Sequence, residues 1–227
     1  METAEMQTII LNEIESRQLL EDQNINLNKY AFTRTKEEAV NQARTMQFPL
    51  VMKVVSPVIV HKSDFGGVQV GLKTVEEVEQ AYDRIYENAA RKGVLRNEIE
   101  GVVVQEMIEG VQEILVGIKR DPIFGPVLVI GIGGIFVELF KDVQLGICPL
   151  TEEDVSKMIE GLKGFPLLNG FRGRKQADVN ALISLSQKVS AMAMENEQIV
   201  EMDLNPVILK ENGYGAVAVD ARIVLKQ

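Results

Sequence analysis

Tryptophan is absent from the 227-residue chain, and cysteine and histidine occur once each, as Cys148 and His61. A single cysteine excludes an intrachain disulfide framework and a cysteine-based zinc site. A single histidine excludes a histidine-pair metal centre. Cysteine this sparse is simplest for a cytoplasmic protein. Long apolar runs are missing too: Val127–Ile132 is representative, against the roughly 20 residues that a membrane-spanning helix needs. The opening METAEMQTII is acidic and mixed, unlike a signal or transit peptide. Positive charge is in deficit, with 24 Lys and Arg against 33 Asp and Glu and a net charge of −9. That argues against nucleic acid or an anionic membrane as the partner, and a phosphate ligand would need a local cationic pocket. What remains is the composition of an ordinary folded protein, 46% apolar and 25% charged, long enough for one or two domains with a real core.

Helical and strand patterns are mixed. Ile10 and Ile14, four apart among charges, predict a helix ending near residue 20. The Asn-rich stretch from Gln23 to Asn28 breaks it. Thr35 with Glu38, and Thr74 with Glu77, are capping-box signatures. They predict helices over 36–47 and from 75 onward, the second with Val75, Val78, Ala81, Tyr82, Ile85 and Ala89 as its apolar stripe. Leu50–Val55, Val68–Leu72, 101–106, 112–118 and Val127–Ile132 read as strands, with a further apolar run at Val137–Phe140. Thr151 and Asp178 each start an amphipathic helix, and a hairpin ends the chain. The order predicts α+β or α/β architecture with partly antiparallel sheets.

The terminal hairpin carries the first candidate site. From Ile199 to Asn205 the pattern alternates, with Val200, Met202 and Leu204 on one face and Glu201, Asp203 and Asn205 on the other. Such hard oxygen donors suit magnesium. Asn212-Gly213 is a strong two-residue hairpin signal. With those two residues as the loop, Ile208 faces Val217 and Asn205 faces Asp220, and opposed residues share a face. The alternative is an amphipathic surface hairpin with solvated acids, and spacing alone weighs the two evenly.

Lys53 interrupts an apolar strand and needs an anionic partner, such as a nucleotide phosphate, or a route to solvent. An edge-strand lysine is the commoner case. Gly66 and Gly67 follow His61, Lys62, Ser63, Asp64 and Phe65. Two glycines let backbone amides approach phosphate oxygens, though a plain turn would also use them. His61 is either a nucleophile toward phosphorus or a hydrogen-bonded bystander. Gln105 to Ile108 can act as a hinge offering backbone groups to an adenine edge, with Glu113 placed to accept ribose hydroxyls; alone, this is a strand–turn–strand. Lys119, Arg120 and Asp121 either touch phosphates or form a solvated charged turn.

The pieces PLVMKVVSP, HKSDFGGVQVGL, VQEMIEG, EILVGIKRDPIFGPVLVIGIGGIFVEL, NGFRG and EMDLNPVIL, in that order of role and covering the chain from about residue 10 onward, resemble an ATP-grasp domain. More narrowly, the chain resembles the nucleotide-binding β subunits of the ADP-forming acyl-CoA synthetases, relatives of succinyl-CoA synthetase. The resemblance implies an ATP-grasp fold of two subdomains with nucleotide between their sheets. It divides the chain into an N-terminal helix (1–20), a smaller subdomain with the phosphate loop (21–107) and a larger one with the magnesium hairpin (108–227).

The implied reaction is acyl-CoA + ADP + phosphate to carboxylate + ATP + CoA, run reversibly. A separate α subunit supplies the CoA-binding and ligase parts in an αβ assembly, α2β2 by analogy. By the same resemblance Lys53 contacts the α- and β-phosphates and Gly66 and Gly67 shape the loop over them. Glu106, Met107 and Ile108 bind adenine through the backbone, and Glu113 binds ribose. Asn205 and Asp220 hold Mg2+ with Glu201 close by; a histidine of the α subunit carries the phosphoryl group first, and His61 takes it as a second phosphohistidine. The loop HKSDFGG departs from succinyl-type relatives, which have more glycines there and no histidine. Two other readings stay open at this level: a self-sufficient ATP-grasp carboxylate ligase, and a nucleotide-binding module without chemistry.

Overall fold

The computed structural model describes residues 7–59, 62–134 and 141–227. His61 and the apolar run Val137–Phe140 therefore lie outside the described residues. In chain order the first elements are β1 (Thr8–Ile10), α1 (Glu13–Asp22), β2 (Tyr30–Thr33), α2 (Lys36–Ala43), β3 (Leu50–Val55), β4 (Val68–Leu72), α3 (Val75–Arg91) and β5 (Gly101–Glu106). Then follow β6 (Gln112–Asp121), β7 (Gly125–Ile132), β8 (Val143–Ile147), α4 (Glu152–Glu160), α5 (Phe165–Leu168), α6 (Val179–Glu195), β9 (Ile199–Leu209), β10 (Ala216–Ala218) and β11 (Arg222–Lys226). They form two compact units, one spanning Asn28–Ile108 and the other made of the chain up to Leu27 together with Glu109–Gln227.

The Asn28–Ile108 unit is a four-stranded antiparallel sheet in the order β2-β5-β3-β4. Strand alternation sends Leu50, Met52 and Val54 into a core shared with Ala39, Val78, Ala81 and Ile85 of the two helices. Val51, Lys53 and Val55 consequently lie on the opposite face. Both capping residues act as their spacing predicts: the Thr35 hydroxyl accepts the Glu38 amide and the Thr74 hydroxyl accepts the Glu77 amide. The Glu38 and Glu77 carboxylates in return accept amides just before each helix. Helix α2 is shorter than its apolar pattern suggests. After Ala43 the chain turns tightly, with the Thr45 amide on the Gln42 carbonyl and the Met46 amide on that of Ala43, yet Met46 still reaches the core.

In the larger unit the sheet runs β1-β11-β9-β6-β7-β8, with β10 also paired to β9 and every named strand pair antiparallel. Helices α4 and α6 pack against it, and Ile114, Val116, Ile118, Leu128, Ile130, Met202 and Leu204 meet Val155, Ile159, Leu182 and Val189 in the core. Here the expected N-terminal helix over 1–20 is corrected. Thr8-Ile9-Ile10 is β-branched and pairs with β11, and Asn12 then starts the helix by accepting the Ile14 and Glu15 amides. The two isoleucines that suggested one helix thus belong to different elements.

Asp178 joins two parts of this unit. Its carboxylate caps α6 by accepting the Ala181 amide at 3.0 Å, and it also accepts the amides of Gly213 (3.0 Å) and Gly215 (2.8 Å) in the β9–β10 turn. Three N–H donors on one carboxylate, itself only 6% exposed, make strong charge-assisted bonds. Asp178→Ala should lower unfolding free energy by about 2–4 kcal/mol, measured as a reduced denaturant midpoint with unchanged slope.

Candidate functional site

The terminal hairpin closes as its turn signal predicts. The Tyr214 amide bonds the Glu211 carbonyl across Asn212-Gly213, and Gly213 takes φ +86°. Leu209 opposes Ala216, Ile208 opposes Val217 and Val207 opposes Ala218. Beyond the end of β10 the same count resumes, with Asp203 opposite Arg222, Met202 opposite Ile223 and Glu201 opposite Val224. Asn205 and Asp220 fall at matching positions in the gap between these ladders. Pro206 explains part of the gap, because it has no amide to donate. The Val219 amide crosses instead to the Pro206 carbonyl at 3.1 Å. Asn205 is exposed and Asp220 half-buried.

The acids of this face differ in their surroundings. Glu201 forms a 2.5 Å ion pair with Arg222, diagonal to it across the strands. Asp203 is the acid the sequence reading left out of its ligand set. Burial pushes its carboxyl above the ordinary range, followed by the charges of Asp220 and then Glu201, while Arg222 partly offsets them. On its other side Asp203 opposes Gly117 of β6, which contributes no side chain. Asp203 was legible in the alternation of Glu201, Asp203 and Asn205; what the pattern did not show was that Glu201 is taken up by Arg222.

Among the described residues no three Asp, Glu, His or Cys side chains form a metal cage. The donor chemistry here is a side-chain amide with one or two carboxylates. That suits Mg2+, which keeps several waters and takes its other ligands from substrate phosphates.

Lys53 is 5% exposed and stands between Val68 and Val103 in register. Gly66 adopts φ +71°, and a side chain at Gly67 would come within 2.5 Å of Val54 Cγ1. Their amides are occupied within the turn: Gly66 donates to the Ser63 carbonyl at 3.0 Å and Gly67 to that of Lys62 at 2.8 Å. The two glycines therefore set the shape and close packing of this turn and do not present free donors. Of the two alternatives open in the sequence, these bonds favour the turn over an amide cradle.

The hinge is also partly committed. The Glu106 amide bonds the Lys29 carbonyl, its carbonyl accepts Asn28 Nδ2 at 2.7 Å, and its carboxylate accepts the Gln47 amide. The Met107 amide bonds the Pro49 carbonyl. Among the described residues the Ile108 amide makes no such bond.

In the larger unit Glu113 lies beside a glycine pair. Its carbonyl accepts the Gly133 amide at 2.7 Å, a Cβ at Gly133 would approach it within 2.8 Å, and Glu113 Oε2 is the nearest atom to a Cβ built at Gly134. Gly133 and Gly134 were visible as a break in the apolar strand, but their contact with Glu113 was not.

Arg120 is removed from the phosphate candidates. Its guanidinium donates to the carbonyls of Ala193, Asn196 and Ile199 and so closes the C-terminal end of α6. Asp121 accepts the Ile123 and Phe124 amides in the β6–β7 turn. Lys119 is exposed, opposite Glu201.

The ATP-grasp domain profile matches residues 3–225. The chain is 40% identical to the β subunit of acetate–CoA ligase [ADP-forming] I of Pyrococcus furiosus, over 99% of this chain and 96% of that one. Acetate–CoA ligase [ADP-forming] I of Archaeoglobus fulgidus is 41% identical over 91% of this chain, which spans 30% of that longer protein. The solved acetyl-coenzyme A synthetase 1 of Candidatus Korarchaeum cryptofilum, with coenzyme A and Ca-AMPCP, superposes with a TM-score of 0.90 at 44% identity, over 96% of this chain and 93% of that one. The same enzyme with Mg-AMPPCP, its phosphohistidine segment pointing towards the nucleotide-binding site, gives 0.81 at 41% over equal shares. The chain belongs to the ATP-grasp family, in the branch of the β subunits of ADP-forming acetate–CoA ligases.

The electrostatics of Asp203 yield a test. An acid whose folded pKa is raised loses stability on ionising. The loss is absent below its unfolded pKa of about 3.9 and complete above the raised folded value. Asp203→Asn should therefore raise the metal-free melting temperature at pH 7 and leave it unchanged near pH 3, as read by calorimetry across that range.

Proposed function

We propose that this chain is the nucleotide-binding subunit of an ADP-forming acyl-CoA synthetase, working with an α subunit that binds CoA. The net reaction is acyl-CoA + ADP + phosphate to carboxylate + ATP + CoA. The observation that carries the reading is the hairpin register, which aligns Asn205 with Asp220 beside Asp203, in a chain 40% identical to such a β subunit along its length.

In this reading Asn205 and Asp220 hold Mg2+, and Asp203 stands next to them in place of the ion-paired Glu201. When bound, Mg2+ neutralises charge on the phosphate oxygens. Lys53 adds a positive charge against the α- and β-phosphates. A nearly buried lysine costs solvation that an anionic ligand offsets. The turn at Gly66 and Gly67 gives the loop after His61 its shape. The Ile108 amide donates to the adenine edge, and Glu113 accepts from ribose hydroxyls. His61 receives the phosphoryl group as the second of two histidines: a histidine of the α subunit takes it from the acyl phosphate and releases the carboxylate, an imidazole nitrogen of His61 then bonds to phosphorus as the bond to that first histidine breaks, and an oxygen of the ADP terminal phosphate finally displaces the His61 imidazole to give ATP. Such transfer relies on placement and charge neutralisation more than on a base. The Korarchaeum enzyme has a phosphohistidine segment that points towards its nucleotide-binding site, in keeping with phosphoryl transfer by way of histidine. A heteromeric α2β2 assembly completes the enzyme.

The chain alone should bind Mg·ADP without turning over acyl-CoA, seen by calorimetry and a CoA-release assay; full turnover by the isolated chain overturns the two-subunit reading. Assembled with its α subunit, His61→Ala should lose phosphoryl transfer and keep nucleotide affinity, whereas wild-type turnover removes His61 from the mechanism. Lys53→Met should weaken nucleotide binding about tenfold or more, measured by the same titration.

A further inference from the structure

The segment Val219-Asp220-Ala221 lies between two ladders on β9: that of β10 ends at Ala218 and that of β11 begins at Arg222. Asp220 is thus carried by backbone that sheet pairing does not fix. Hydrogen bonds at Val219 hold it instead. Its amide donates to the carbonyl of Pro206, the residue after Asn205, at 3.1 Å. Its carbonyl, part of the peptide plane that leads into Asp220, accepts Arg17 Nη2 at 2.7 Å.

Arg17 comes from α1, some two hundred residues away in sequence. It is fully buried, and the similarly buried Glu13, one turn earlier, pairs with it at 3.4 Å. A buried ion pair is a poor way to gain stability, since apolar side chains of similar volume fill such a place at least as well. What this pair supplies is a rigid, forked donor at a defined point. That point is the peptide preceding the candidate metal ligand.

We propose that Arg17 is a positioning residue for Asp220: it fixes the Val219–Asp220 peptide and so sets the distance between the Asp220 carboxylate and Asn205. Helix α1, which carries no nucleotide-binding side chain in the reading above, becomes a support of the magnesium site. The inference rests on Asp220 being a magnesium ligand, as proposed above.

The test is the Mg2+ dependence of AMPPCP binding to the full chain, followed by calorimetry. In Arg17→Met the Mg2+ concentration for half-maximal binding should rise about tenfold, while AMPPCP affinity without Mg2+ stays within about twofold. Arg17→Lys should recover part of the shift, because it keeps the charge and a donor but not the fork. In Arg17→Met combined with Asp220→Asn, the Arg17 change should add nothing to the effect of Asp220→Asn alone. A loss that is merely structural would weaken binding with and without Mg2+ alike, and that result overturns the proposal. So does a folded Arg17→Met protein with wild-type Mg2+ dependence. Should Arg17→Met not fold, Glu13→Leu with Arg17→Met replaces the whole buried pair and is read by the same criteria. Asp220→Asn alone separates the two levels. If it leaves Mg2+ dependence unchanged, the magnesium reading fails and the proposal with it; if it shifts that dependence and Arg17→Met does not, only the role of Arg17 fails.

Discussion

The register of β9 is the constraint on which the larger unit depends. This strand pairs with β6, β10 and β11, and its alternation places Met202 and Leu204 in the core. A slip of one residue would turn those side chains outward and drive Glu201, Asp203 and Asn205 into an apolar interior. Burying those acids unpaired would cost far more than one turn bond returns. The core thereby enforces the geometry of the acidic face, and the Asn212-Gly213 turn with its Asp178 anchor locks the same register from the end of the hairpin.

Charge is distributed in the two units to different ends. The β9 face concentrates carboxylates that repel one another, which is visible in the raised Asp203 carboxyl. In the smaller unit Lys53 occupies a nearly solvent-free place in a valine-rich strand. Both arrangements are poor choices for stability alone and good ones for ligands of opposite sign. A net acidic protein can in this way hold a polyanionic nucleotide without a broadly basic surface.

The parts of the fold that were legible in the sequence rest on short-range rules. Capping at Thr35 and Thr74, the β-rich run of β3 and the two-residue turn at Asn212-Gly213 each depend on neighbours within a few positions. The parts that were not legible depend on distant partners. Thr8-Ile9-Ile10 looks helical until β11 offers it an edge. Arg120 looks like a phosphate ligand until the end of α6 is beside it. Gly66 and Gly67 look like an amide cradle, but their amides are consumed by Ser63 and Lys62. In the candidate site, the alternation Glu201, Asp203, Asn205 exposed the right face. Choosing among its acids required knowing that Arg222 pairs with Glu201.

The larger unit is discontinuous: its edge strand β1 pairs with β11, while Asn28–Ile108 forms a sheet whose four strands are all local to that stretch. During synthesis on the ribosome, this gives the two units different schedules. The smaller sheet has every strand it needs once residue 106 has emerged, whereas β1 waits until β11, at Arg222–Lys226, has been made. Until then the backbone N–H and C=O groups of β1 lack their sheet partners in the nascent chain, a stage at which a chaperone would find its natural handhold.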